Sequence, residues 1–135
     1  MSIATEKYVS ITTFRKNGTP VPSPVWIAPL NDGMCGFTTD LSSGKVKRLR
    51  NDPKVTLRPC DMRGRVAEGA PEIAATAAVV VGAASDPVRA AIVAKYGLLA
   101  RAMLLGSSIS EQIAKLRKKP VEDRCAIVIT PAPGA

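Results

Sequence analysis

The chain contains no histidine. That removes the commonest general base, the Ser-His and Cys-His nucleophilic systems, and most zinc chemistry. Cysteine is scarce too. Cys35, Cys60 and Cys125 lie far apart, are odd in number and form no CxxC pair. Their spacing suggests neither a disulfide framework nor a zinc site. Each falls in a strand-like run, where a small buried hydrophobe is the expected role. Aromatic residues make up only 4%, too few to interleave with basic residues as base-stacking platforms. A nucleic-acid binder is therefore disfavoured, although the net charge is +8. A long uninterrupted apolar run is also missing. The best candidate, residues 87–106, is broken by Arg89, Lys95 and Arg101, so no membrane span is expected. Neither GxGxxG nor a Walker motif occurs, and the carboxylates are scattered among turns, caps and solvent-facing positions. No signal peptide is visible, which together with free thiols points to the cytoplasm. No catalytic side chain and no metal site are expected. An enzyme with this composition needs a cofactor to carry its reaction, with the protein supplying binding, orientation and field.

What is present reads as one domain over residues 1–135. Hydrophobic residues form 46% and charged residues 22%, enough for a real core. "KYVSITTF", residues 7–14, alternates as a strand does. Asn17-Gly18 follows as a hairpin turn. "PVPSPVWIAPL", residues 20–30, is a second strand. "NDG" turns the chain at 31–33, and "MCGFTTD" is a third strand. Residues 42–53 form a short helix capped by Ser42 or Ser43 and ended by Pro53. "KVTLRPCD", residues 54–61, is a fourth strand. A long strand or a strand pair follows within 66–84, where the Val run and Gly82 favour strand over helix. Asp86 as N-cap and Pro87 at the first helical position open a helix to about Leu105. Val88, Ile92, Tyr96, Leu99 and Met103 share one face, and Leu98, Ala102 and Leu105 a neighbouring one. Two apolar faces are more than one small sheet covers, so a homodimer is expected. "SISE", residues 108–111, is a capping box for a second helix, whose last turn holds Lys115, Arg117, Lys118 and Lys119. "RCAIVIT", residues 124–130, is the last strand. The expected architecture is a mostly antiparallel sheet, closed or half-closed, with helical decoration.

Two features stand out. In "SSGKVKRLRNDP" the cations crowd the start of the helix, where the partial positive charge of the unpaired N–H groups disfavours them. The second helix places its cations at the C-terminal end instead. Lys45 and Lys47 beside the N–H groups around Gly44 make an anion site suited to phosphate, which Thr38 and Thr39 can extend. A plain solvated cationic face is the competing reading. The other feature is Pro20, Pro22 and Pro24 in alternation. One edge of that strand loses three successive N–H donors, while Val21, Ser23 and Val25 pair normally. Such an edge is protected against aggregation, and it also leaves a groove for a flat ligand. Trp26, the only tryptophan, suits a core or interface role.

"YVSITTFRKNGTPVPSPVWIAP", "GFTTDLSSGKVKRLRNDPKVTLRPCDMRGR" and "KYGLLARA" together resemble the pyridoxamine 5′-phosphate oxidase-like split β-barrel superfamily. Within it they resemble the deazaflavin-dependent branch, the B-type flavin/deazaflavin oxidoreductases. The resemblance spans essentially the whole chain and is loosest over residues 66–84. It implies a mostly β, six-stranded antiparallel split β-barrel of the FMN-binding kind with short peripheral helices. It also implies a homodimer whose cofactor site is shared between subunits. Lys45 then stands as the phosphate lysine of a K-x-x-x-L-R-x-D-P element, with Gly44 at the helix start. Thr38, Thr39 and Lys47 line the same pocket, and Ser23, Pro24, Val25 and Trp26 lie beside the cofactor ring. The implied cofactor is coenzyme F420, a deazaflavin with a phosphodiester and an oligoglutamate tail, or alternatively FMN. The implied activity is hydride transfer from reduced deazaflavin to an unsaturated or quinone-like organic acceptor. The alternatives are an FMN-dependent enzyme and a cofactor carrier without turnover.

Overall fold

The computed structural model describes residues 3, 6–40, 42–61, 63–101 and 125–131, with the side chains of 99–101 left aside. Its strands are β1 (Val9–Phe14), β2 (Pro20–Val25), β3 (Ala28–Pro29), β4 (Cys35–Thr38), β5 (Lys54–Pro59), β6 (Ile73–Val81) and β7 (Cys125–Pro131). Its helices are α1 (Gly44–Asn51) and α2 (Asp86–Arg101). The helix expected over residues 108–119 lies outside the described residues, as do Ala102, Met103 and Leu105. The strands form one sheet in the order β2-β1-β5-β6-β7-β4-β3, every pairing antiparallel.

This order forces the sheet to curl. β2 and β3 occupy opposite edges, yet only Trp26 and Ile27 separate them in the chain. Laid flat, the two edges would lie about 28 Å apart, six spacings of about 4.7 Å. The three steps from Val25 to Ala28 reach roughly 11 Å at most. The edges are therefore drawn toward each other, and the result is the mostly β, half-closed barrel with helices that the sequence implied. The strand count is seven rather than six because residues 20–30 split into β2 and β3. Ile27 cannot stay in a ladder: its N–H is donated to the Tyr96 hydroxyl at 3.0 Å, and its carbonyl accepts from the Lys95 ammonium.

Inward-facing residues alternate as a one-sided sheet demands. Val9 and Ile11 of β1, Val55 and Leu57 of β5, Ala75 and Ala77 of β6, Cys35 and Phe37 of β4, and Ile127 and Ile129 of β7 are all buried in one core. Val46 and Leu49, three apart on α1, complete it from one end. α2 lies on the other face of β4. A Cβ on Gly36 would fall 2.8 Å from the Ile127 carbonyl and 3.0 Å from a Val88 methyl, so the close approach of α2 requires glycine there. Val88, Ile92 and Tyr96 are buried, as the helical pattern indicated, while Leu98 is 68% exposed.

Three local expectations need correction. The strand or strand pair expected within residues 66–84 is one strand, β6, which begins at Ile73 after turns such as Asp61 N–H to the Arg65 carbonyl and Ala70 N–H to the Ala67 carbonyl. Gly82 ends the strand instead of extending it: its φ of 63° turns the chain into a 3-10 turn, Gly82–Ser85. Asp86 therefore enters α2 already helical, at φ −59° and ψ −42°, and is not an extended N-cap. Its carboxylate pairs with Arg89 at 3.2 Å instead. Cys35 and Cys125 are buried, whereas Cys60, just past β5, is only half-buried. No helix among the described residues is long and apolar enough to cross a membrane.

Candidate cofactor site

The start of α1 is built by one tight reversal after β4. Thr39 N–H donates to the Cys125 carbonyl at 3.2 Å, and Ser43 N–H to the Asp40 carbonyl at 2.9 Å. Ser43 is the N-cap; its hydroxyl oxygen accepts from Val46 N–H at 3.4 Å and from the Thr39 hydroxyl at 3.1 Å. Arg48 folds back over this point. Its Nε donates to the Thr13 hydroxyl at 2.6 Å, and a Cβ on Gly44 would lie 2.7 Å from its guanidinium. Lys45 is half-buried beside it. Burial, followed by the Arg48 charge, holds the Lys45 ammonium below the ordinary lysine range, and Asp40 pulls the other way. The cluster is thus short of negative charge, with one carboxylate against two cations. An anion placed there relieves the cost.

Lys45 and Lys47 do not point together. Two steps of an α-helix turn about 200°, and Lys47 faces a second, open cleft of about 280 Å³ lined by Arg15, Lys16, Lys47, Arg48 and Asn51. Four of those five residues are cations and none is a carboxylate. Arg48 borders both places. Arg15 and Lys16 come from the β1–β2 hairpin, whose turn is fixed by Gly18 at φ 88° and by Thr19 N–H donating to the Asn17 side chain at 3.0 Å. Sequence reasoning missed Arg15, Lys16 and Arg48 as site residues. Arg48 carried a usable signal, three positions after Lys45 on one helix. The hairpin cations carried none, because only the sheet brings them to α1.

Among the described residues β2 is an edge strand paired only with β1. Arg15 N–H donates to the Thr19 carbonyl at 2.9 Å. By alternation, Thr13 with Val21, Ile11 with Ser23 and Val9 with Val25 are also hydrogen-bonded pairs. The backbones of Pro20, Pro22 and Pro24 then face outward, as the alternation implied. Val21, Ser23 and Val25 are half-buried, and the prolines are exposed. Gly64, at φ 84°, approaches Pro24 so closely that a Cβ there would lie 3.3 Å from the proline ring. Arg48 joins α1 to Thr13, and Thr13 pairs with Val21, so α1 and β2 flank the same stretch of β1. Thr39, Gly44 and Lys45 come together at the helix start, and half-buried Thr38 ends β4 beside them. Ser23, Pro24 and Val25 line the β2 edge.

Trp26 leaves that edge. Its indole stacks on the Tyr96 ring, centroids 4.4 Å apart and planes 9° from parallel. Tyr96 also donates its hydroxyl to the Lys7 carbonyl at 2.6 Å. Burial pushes the Tyr96 phenol well above its ordinary range. Burial likewise lowers the neighbouring Lys95 ammonium to about 8, against the opposing pull of Glu6 and Cys35. The Cys35 thiol is pushed up to about 11 by burial, with Lys95 opposing. A low-lying thiolate nucleophile is therefore not built at Cys35.

Comparison with known proteins sets this geometry among relatives. A search of curated proteins finds no match. Among solved structures, the chain is similar to an F420 reductase, at 18% identity over 97% of this chain and 91% of that one, with a TM-score of 0.62. It is similar to HutZ, the heme storage protein from Vibrio cholerae, at 16% identity over 96% and 84%, TM-score 0.66. It also resembles a pyridoxamine 5′-phosphate oxidase-related, FMN-binding protein from Nostoc punctiforme, at 14% identity over 93% and 70%, TM-score 0.54. At such identities the likeness establishes the fold alone. The sequence profile described as pyridoxamine 5′-phosphate oxidase matches residues 2–133. With nearly the whole chain matched, and a curled antiparallel sheet whose topology explains the match, this protein belongs to the pyridoxamine 5′-phosphate oxidase family.

Proposed function

We propose that residues 1–135 act as one domain that binds a deazaflavin, coenzyme F420, and uses it as an oxidoreductase. The observation that carries this reading is the run of cations that extends beyond one phosphate-sized site. Lys45 offers its ammonium at the start of α1, beside the Ser43 cap. Past Arg48, the cleft of Arg15, Lys16 and Lys47 continues the positive charge with no carboxylate in its lining. FMN ends in a single phosphate. A cofactor with a phosphodiester and a carboxylate tail has negative charge to match both places.

In this reading Lys45, Gly44, Thr38 and Thr39 hold the phosphate, and Lys47 meets the anionic tail. The β2 edge at Ser23, Pro24 and Val25 offers outward backbone carbonyls to a planar ring, with Trp26 at its end. When bound, the deazaflavin supplies a two-electron hydride, which an unsaturated or quinone-like organic acceptor receives. The chain's own contribution is position and field: the cations neutralise the cofactor, and the rigid edge orients it. No residue is assigned as the proton donor; water or a neighbouring side chain supplies the proton. A second copy closing the β2 groove makes the active unit a homodimer, which sedimentation at micromolar concentration tests directly.

The testing experiment is a side-by-side titration of apo-protein with the deazaflavin and with FMN. Oxidation of each reduced cofactor is then followed by absorbance with a panel of quinones, enones and tetrapyrroles. The expected result is tighter binding and turnover with the deazaflavin. Turnover with FMN alone moves the protein to flavin chemistry. Tight binding without turnover on any acceptor makes it a carrier.

A further inference from the structure

Lys95 and Tyr96, consecutive on α2, converge on the same two backbone segments. The Lys95 ammonium donates to the Glu6 carbonyl and to the Ile27 carbonyl, each at 2.5 Å. The Tyr96 hydroxyl donates to the Lys7 carbonyl at 2.6 Å and accepts from Ile27 N–H at 3.0 Å. Both backbone groups of Ile27 are thus held by side chains nearly seventy residues away in the chain. The Lys95 ammonium also sits 4.9 Å from the centre of the Tyr96 ring, whose face carries Trp26. A half-buried ammonium is a costly way to join three segments that aliphatic side chains would also pack. What it adds is direction: two carbonyls and one ring face are fixed relative to one another.

The segment so held is the only covalent link between the two sheet edges, and it begins where β2 ends. We propose that Lys95 and Tyr96 are positioning residues for the cofactor: acting through the Trp26 and Ile27 backbone, they set the indole and the adjoining Ser23, Pro24 and Val25 edge in the geometry that receives the ring. The cofactor part of this inference rests on the deazaflavin reading above; the placement of Trp26 does not.

The test uses Trp26, the only tryptophan, as its own reporter at pH 7. Lys95→Met keeps length and removes the charge. Tyr96→Phe keeps the stacking ring and removes the hydroxyl. Lys95→Arg keeps the charge and two donors. The expected result is a shift of Trp26 emission to longer wavelength and greater acrylamide quenching in Lys95→Met and Tyr96→Phe, with Lys95→Arg close to wild type. Deazaflavin affinity should fall roughly threefold to tenfold in the first two, the loss of one or two hydrogen bonds, while far-ultraviolet circular dichroism is retained. Tyr96→Phe, nearly isosteric, carries the test if Lys95→Met does not fold. Unchanged emission and quenching in the folded variants overturns the clasp whatever the cofactor does. Shifted emission with wild-type affinity overturns the positioning role alone. A wild-type protein that binds neither deazaflavin nor FMN overturns the cofactor reading and the positioning role with it, and the emission data then show separately whether the clasp exists.

Discussion

Two lysines among the described residues are half-buried, and their surroundings differ in kind. Lys95 is hydrogen-bonded from within: two backbone carbonyls accept from its ammonium and an aromatic face lies against it. Lys45 stands at a helix start beside Arg48, donates no hydrogen bond among the described residues, and has only Asp40 pulling in its favour. The first arrangement is closed and serves the architecture. The second is open, and its electrostatic cost invites a ligand of opposite charge. A buried charge thus marks a binding site only when the fold leaves it under-served.

The sharpest way to break this contrast is at Tyr96, which is fully buried. Tyr96→Ala removes the stack and the hydroxyl bonds together and should destabilise the fold by about 3–5 kcal/mol, measured by denaturant unfolding. A cost below 1 kcal/mol would mean that α2 does not hold the crossover. Next comes Lys45→Ala. It should weaken deazaflavin binding by about 1.5–3 kcal/mol, roughly tenfold to a hundredfold, with the melting temperature of the apo-protein unchanged or raised. Equal affinity at matched salt would remove Lys45 from the site, and a lower melting temperature would make it architectural like Lys95.

The third prediction concerns pH. Lys95 titrates near 8 in the fold against 10.5 for the ordinary group. Between these values the unfolded chain holds more protons, so stability rises with pH across that window. The melting temperature of wild type minus that of Lys95→Met should be flat below pH 8 and should climb from there toward 10.5. The Cys35 thiol, raised from 9.0 to about 11, acts in the opposite sense between those values, but it is present in both proteins. A difference that falls across the window would contradict the assignment. The smallest effect is expected at Arg58, which pairs with Glu72 at 2.5 Å with both side chains at least 44% exposed. Arg58→Ala should cost less than about 1 kcal/mol and leave cofactor binding alone, which calibrates the other changes.

Local chemistry made much of this fold legible. Asn17-Gly18 marked the hairpin, the pair Ser42 and Ser43 the cap of α1, and the alternating prolines the outer edge of β2. The break at Trp26 and Ile27 was not legible, because the groups that capture Ile27 lie on α2. Lys95 read as a charge that merely interrupts an apolar run, since nothing near it in sequence names the carbonyls it meets. The start of β6 within residues 66–84 and the turn at Gly82 were not legible for a related reason. An Ala-Val run says that a strand is present but not which of its residues find partners. At the candidate site, helix polarity and proline spacing were visible beforehand, whereas the second cationic cleft exists only once the hairpin is folded against α1.

The position of β7 carries a consequence for how the chain is made. The last of the described strands in sequence lies between β6 and β4, with partners on both sides. Until residues 125–131 leave the ribosome, β4 and β3 have no ladder joining them to the other four strands. The nascent chain must therefore wait, with the Phe37 side of the sheet uncovered, for β7 to arrive. A chain cut before Cys125 loses the middle of its sheet and not a fraying end.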